Sequence, residues 1–209
     1  MSLKRSTAAR LSRNDVPMPM ERLVSNSIAA VALAAQATAV SADPEVQALA
    51  IATGVLVAYA IATPDDQESS HLAFEVGRFD AVKNADPATA FELEYRFGQE
   101  FWWKLRPFIG GGVTSDRSGY GYGGIRLPTF WGEHVVITPS FAIVGYSRGD
   151  GKDLGSTPVL GRFGIDLEYR FDNDLRVGAA YHHFSNGKAF SQTTNPGTEI
   201  IGITLSMAM

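Results

Sequence analysis

The closing stretch Thr198-Glu-Ile-Ile-Gly-Ile-Thr-Leu-Ser-Met-Ala-Met209 splits into two unlike rows when every second residue is read. The odd positions run Glu199, Ile201, Ile203, Leu205, Met207 and Met209, whereas the even ones run Ile200, Gly202, Thr204, Ser206 and Ala208. Side chains alternate across a strand, so a large apolar face opposes a small, mostly polar one. In a soluble barrel the apolar side is the interior. In a membrane barrel the pattern inverts, and the apolar face meets lipid.

Working back along the chain, the same split recurs. Phe163, Ile165, Leu167, Tyr169 and Phe171 alternate with Gly164, Asp166, Glu168, Arg170 and Asp172; Phe91, Leu93, Tyr95 and Phe97 alternate with Glu92, Glu94, Arg96 and Gly98. Read as a membrane barrel, the lumen collects Glu75, Glu92, Glu94, Asp166 and Glu168 together with Arg96, Lys104, Arg106, Arg126, Arg170 and Arg176. The two signs nearly balance, so paired charges and glycines can fill a narrow interior without leaving a pore. Aromatic-rich segments separated by Gly, Pro, Asp and Asn mark about eight strands, at 70–79, 89–98, 102–113, 119–128, 133–146, 158–171, 174–185 and 198–208. Phe101-Trp102-Trp103, Tyr120, Tyr122, Phe130-Trp131, Tyr146 and Tyr181 fall near strand ends, where an interfacial girdle belongs. The expected fold is all-β, an eight-stranded antiparallel transmembrane β-barrel over residues 64–209. The competing reading is a soluble lipocalin-like barrel with the two faces exchanged.

Composition agrees with a membrane barrel and removes other classes. A net charge of -4 lacks the basic excess of a nucleic-acid binder, and 11% aromatic residues are too many for an acidic disordered chain. Zero cysteine removes disulfide scaffolds, thiolate zinc sites and cysteine nucleophiles. A mean hydropathy of -0.02 is too polar for a helical membrane bundle, whereas lumen residues dilute the hydropathy of a barrel. Residues 1–63 read differently from the remainder. Lys4, Arg5, Arg10, Arg13 and Arg22 precede apolar stretches from Ile28 to Ala42 and from Val46 to Ala62, the order of a secretory leader. Met18 and Met20 are alternative starts, and cleavage fits after Ala42 or after Ala62. Retention of Val46 to Ala62 as a helix is the alternative to removal.

Polar chemistry interrupts the apolar row of the seventh strand. Its odd face reads Leu175, Val177, Ala179 and Tyr181, then His183 and Ser185, while the eighth strand opens its own apolar row with Glu199. These ends are neighbours in an antiparallel hairpin, so Ser, His and Glu can converge on one outward patch. A serine hydroxyl is a poor nucleophile until a base takes its proton, and that base needs an acid to fix its tautomer and stabilise its cation. Three polar residues at a strand end are more often ordinary rim residues. Their place on a lipid-facing row favours function, because a carboxylate and an imidazole beside hydrocarbon are costly. His182 points the other way and reads as lumen packing.

The run His183-Phe-Ser185-Asn186, followed after a loop by Asn195-Pro196-Gly197-x-Glu199 and an apolar terminal strand, resembles the outer-membrane lipid A 3-O-deacylases of the PagL type. The similarity spans roughly Ser70 to Met209 and extends to Leu93-Glu-Tyr-Arg-Phe97 and Arg106-Pro-Phe-Ile-Gly110. It implies an eight-stranded barrel with an exposed Ser-His-Glu triad that hydrolyses the ester at position 3 of lipid A. By this resemblance Ser185 is the nucleophile, His183 the base and Glu199 its orienting acid. Asn186, through its amide, and Asn195, through its side chain, match the oxyanion positions. No metal or cofactor is implied. The implied partners are lipid A within lipopolysaccharide and outer-membrane lipid, with a homodimer left open and no nucleic acid. The Ser-to-Glu loop, which contains Lys188-Ala-Phe-Ser-Gln-Thr-Thr194, is slightly longer than expected for the family, and the chain ends in Met209 rather than the terminal aromatic residue common in outer-membrane barrels. With both termini periplasmic, the seventh strand ends at the outer leaflet, where lipid A resides. The alternative function is a non-catalytic structural or adhesion-type barrel of the same fold.

Overall fold

The computed structural model describes residues 44–63, 67–155, 158–186 and 196–209. One helix, α1 (Pro44–Ala62), precedes β1 (His71–Phe79), β2 (Ala88–Arg96), β3 (Arg106–Thr114), β4 (Gly119–Arg126), β5 (Thr129–Trp131), β6 (Val135–Ser147), β7 (Val159–Arg170), β8 (Arg176–Ser185) and β9 (Thr198–Ala208). Every pairing is antiparallel, and β4 pairs with β6 to close the order β4-β3-β2-β1-β9-β8-β7-β6 into an eight-stranded wall. The three-residue β5 lies outside that closure, paired with the start of β6. The seventh and eighth wall strands of the sequence reading are therefore β8 and β9.

The strands match the expected ones, with two differences. β3 begins at Arg106 rather than 102, because Trp102 and Leu105 form an isolated bridge and Trp103 takes a left-handed backbone (φ 54°). That tight turn uses up the residues assigned to the strand. β5 was not anticipated, since three residues show no period.

Phe74, Val76, Phe91, Leu93, Ile109, Val113, Ile143, Leu167 and Ile203 are exposed on the outer wall, whereas Glu92, Glu94, Arg96, Asp166 and Glu168 are buried inside it. This is the inverted pattern of a transmembrane barrel, and it excludes the soluble reading. Among the described residues no helix is long and apolar enough to cross a membrane.

The lumen is layered. At the end where β1 begins, Glu68 sits among Arg126 (2.8 Å), Arg176 (3.0 Å) and Arg106 (3.6 Å), and Asp174 pairs with Arg176 (3.1 Å) and Arg170 (2.8 Å). Burial pushes the Glu68 carboxyl up, but the arginines outweigh it and hold it below its ordinary value. In the middle, the Arg96 guanidinium binds Glu94 (2.7 Å), Asp166 (2.8 Å) and Glu168 (3.0 Å). Towards the far end the interior turns apolar, with Phe79, Ala142, Val144, Leu160, Phe184 and Ile200 in one cluster. Charges thus fill only part of the lumen.

Other placements also correct the sequence reading. Tyr120 and Tyr122 lie inside, not in a girdle, and donate hydrogen bonds to Glu92 at 2.8 and 2.7 Å. Gly112 and Gly110 oppose them in register, and a Cβ at either glycine would collide with the facing tyrosine ring. Tyr146 also packs against the interior cluster. Phe101, Trp102 and Trp131 do stand exposed near strand ends, as expected. Lys104, expected in the lumen, donates instead to the carbonyls of Ala60 (2.7 Å) and Thr63 (2.6 Å) at the end of α1. That end is held further by Tyr59, which stacks on Trp131 at 3.9 Å and donates to the Phe130 carbonyl at 2.8 Å. Residues 1–43, including Met18, Met20 and the cut after Ala42, lie outside the described residues.

Candidate active site

The chemistry-bearing hairpin is positioned by register. Phe163, His183 and Glu199 are direct cross-strand partners on β7, β8 and β9, so their side chains share one face. Ser185, two residues beyond His183, shares that face opposite Gly161. This face is the outer wall, continuous with Tyr181 and Ile201, the next pair on the same face of the β8–β9 ladder. Phe184 and Ile200 point inward, fully buried in the apolar cluster. The site therefore stands on a buried apolar base rather than on the charged part of the lumen.

His183 Nδ1 lies 3.2 Å from Glu199 Oε1. A carboxylate only accepts, so the imidazole donates from Nδ1, and in the neutral ring this tautomer places the lone pair on Nε2, where a base needs it. Both residues are buried, at 3% and 0% exposure, and Ser185 is half-buried. An outward patch was expected; the pair instead sits in a covered position on the outer wall. Gly197 contributes to that cover, since a Cβ on it would lie 3.4 Å from His183 Cε1. Its left-handed backbone (φ 50°) suits glycine. Asn186 follows Ser185 and is buried, whereas Asn195 lies outside the described residues together with Lys188 to Thr194.

The sequence reading missed two features of the surroundings. Gly161 lies opposite Ser185, and a Cβ there would meet its neighbours only at ordinary contact, 3.6 Å or more. The Ala81 amide donates to the Glu199 carbonyl at 3.2 Å, joining the β1–β2 turn to the site. Neither has a local sequence signal, because both arise from pairings distant in the chain.

His182 faces the lumen as expected, with Nε2 2.9 Å from Glu75 Oε2. Glu75, Glu92 and His182 bring donor atoms within 4.8 Å of one another, a spacing a cation could use. Their chemistry argues otherwise: both Glu92 oxygens accept tyrosine hydroxyls, and the Arg162 guanidinium stands 3.6 Å from one of them. The cluster reads as an internal charge network.

Residues 81–208 match the family model described as lipid A 3-O-deacylase (PagL). Among solved structures, the chain is similar to the outer membrane enzyme PagL, with a TM-score of 0.50 and 18% identity over 66% of this chain and 99% of that one. It is similar also to the N-terminal β-barrel domain of Pseudomonas aeruginosa OprF, with a TM-score of 0.50 and 11% identity over 69% and 100% of the two chains. At such identities these likenesses speak for the fold. A search of the curated proteins finds no match.

Proposed function

Because the chain belongs to the lipid A 3-O-deacylase (PagL) family, we propose that it is a serine esterase that removes the 3-O-linked acyl chain of lipid A. The protein is a β-barrel of the bacterial outer membrane. An even-stranded barrel with periplasmic termini sends β8 outward, so the end of β8 and the start of β9 face the outer leaflet. A lipid A ester reaches that level without leaving the membrane.

The observation that carries this reading is the His183–Glu199 pair, 3.2 Å apart on the outer wall, with Ser185 one step further along the same face. Ser185 Oγ attacks the acyl carbonyl while His183 Nε2 takes its proton, and Glu199 stabilises the imidazolium. The Asn186 amide, with Asn195 as its side-chain complement, holds the oxyanion. Collapse breaks the ester bond, and His183 returns the proton to the departing sugar 3-hydroxyl. Water, deprotonated by the same imidazole, then hydrolyses the acyl-serine and releases a 3-hydroxy fatty acid. The apolar outer surface formed by Val76, Ala179, Ile201 and Ile203, two to four residue pairs below the site along the β8–β9 ladder, suits an acyl chain.

The test is purified barrel in detergent with lipid A, read by mass spectrometry for loss of one 3-hydroxyacyl group and release of the matching acid. Folding is checked by heat-modifiable gel mobility. Release from position 3 is the expected result. A folded barrel that leaves every acyl chain in place would support the non-catalytic alternative and sink this one.

A further inference from the structure

Two segments distant in sequence are linked to the strand that carries Glu199 at the outer end of the barrel. The first is the turn after β1, at residues 80–87. Its Ala81 amide donates to the Glu199 carbonyl at 3.2 Å, and Lys83 Nζ donates to the Pro196 carbonyl at 2.8 Å. The turn is therefore bonded twice to the start of β9. Its first residue, Asp80, is fully buried and holds a left-handed backbone (φ 54°), which a non-glycine residue adopts only when held there. What holds it is its own carboxylate, which accepts from the amides of Ala85 (2.7 Å) and Asp86 (2.9 Å).

Lys152, from the connection between β6 and β7, donates its buried ammonium to the other oxygen of the same carboxylate. Tyr146 fixes the Lys152 segment by donating to its carbonyl at 2.9 Å. Burial raises the Asp80 carboxyl, but Lys152 and the two amides more than offset this and keep it below its ordinary value. The carboxylate is thus charged under working conditions and committed to both segments.

We propose that Asp80 and Lys152 are positioning residues for Glu199, forming a strut that braces the β1–β2 turn and, through the Ala81 amide, fixes the acid of the triad. This rests on the proposed reading of Glu199. The strut touches no reacting atom and acts only through the backbone of residue 199. Sequence offers no hint of it, since Asp80 and Lys152 lie 72 residues apart in unrelated loops.

The test is a double-mutant cycle on deacylation of lipid A by detergent-solubilised, folded barrel. Wild-type activity is read first; its absence is a failure of the functional reading and not of the strut. With activity in hand, Asp80→Asn and Lys152→Met should each lower kcat about tenfold with KM within about twofold. Placed on Glu199→Gln, neither should lower kcat further, because the group they position has already lost its charge. Lys152→Arg should restore most of the activity lost in Lys152→Met, and Arg117→Ala, at an exposed loop pair, serves as the unchanged control. Equal losses in both backgrounds, or no loss in the native one, would overturn the proposal. Should Asp80→Asn fail to form a barrel, Lys152→Met carries the cycle alone. Failure of both to form barrels would also overturn it, by making the pair a determinant of the whole fold.

Discussion

The two ends of this barrel use charge in opposite ways. At the end where β1 begins one carboxylate, Glu68, is surrounded by three arginines. At the outer end one carboxylate, Glu199, meets one imidazole above an apolar base, and its second oxygen has no hydrogen-bond partner among the described residues. Surplus countercharge immobilises a group and removes its reactivity. A one-to-one pair on an apolar base carries no such surplus. The difference predicts that the same kind of substitution has separate consequences at the two ends: lost chemistry at one, lost stability at the other.

The largest effect expected is on activity at the outer end. Ser185→Ala and His183→Ala should fold as barrels and lose deacylation by at least about a thousandfold, since members of a triad act as a unit. Lipid A hydrolysis per folded molecule measures this, and near-normal turnover in Ser185→Ala would end the proposed mechanism. Glu199→Gln should cost less, because a neutral amide keeps the hairpin and part of the orientation. Glu199→Asp, shorter by one methylene, should fall between Glu199→Gln and the native enzyme. If both hydrolyse at the native rate, Glu199 is not the acid.

The matching substitution in the lumen is Arg96→Met, which leaves Glu94, Asp166 and Glu168 without their shared guanidinium. Breaking a buried ion pair costs roughly 3–5 kcal/mol, so the barrel should melt earlier while activity per folded molecule is kept. Thermal unfolding by gel mobility, paired with the deacylation assay, separates the two. Unchanged melting with abolished turnover would mean that the lumen network belongs to the site.

Much of this contrast is legible in the sequence, because strand alternation is a local signal. The row from Glu199 to Met209 assigns the lipid face, and the step from Tyr181 to His183 and Ser185 marks where that face changes chemistry. What alternation cannot carry is height within the barrel and the size of the partner across the ladder. Arg170 has the parity of a lumen residue, yet it sits at the strand end, about one-third exposed, and pairs with Asp174 in the adjacent turn. Tyr120 and Tyr122 have the composition of a girdle but lie inside because the β3 glycines opposite them leave the room. Arg162 was absent from the expected lumen charges, although its guanidinium lies over Tyr122 at 4.4 Å. The β1–β2 turn at Glu199 was invisible, since only barrel closure brings it there.

The smallest effect concerns the other end and depends on pH. The Glu68 carboxyl is held below its unfolded value because the arginines around it outweigh its burial. A depressed folded value means that its stabilising contribution is fully present above the unfolded carboxylate pKa of about 4.3 and is lost as pH falls through the folded value. The Glu68 contribution should therefore stay constant near neutrality and be lost on acidification below about pH 4. Glu68→Gln should be less stable at neutral pH, where it leaves Arg126, Arg176 and Arg106 facing one another without their carboxylate. It should also lose less on acidification, because the group that titrates is gone. Melting curves for both proteins between neutral and acidic pH measure the difference, while deacylation per folded molecule at neutral pH should not distinguish them. Parallel acid limbs would show that Glu68 does not carry the folded state's pH dependence. A selective loss of activity in Glu68→Gln would show instead that the two ends are coupled through the barrel.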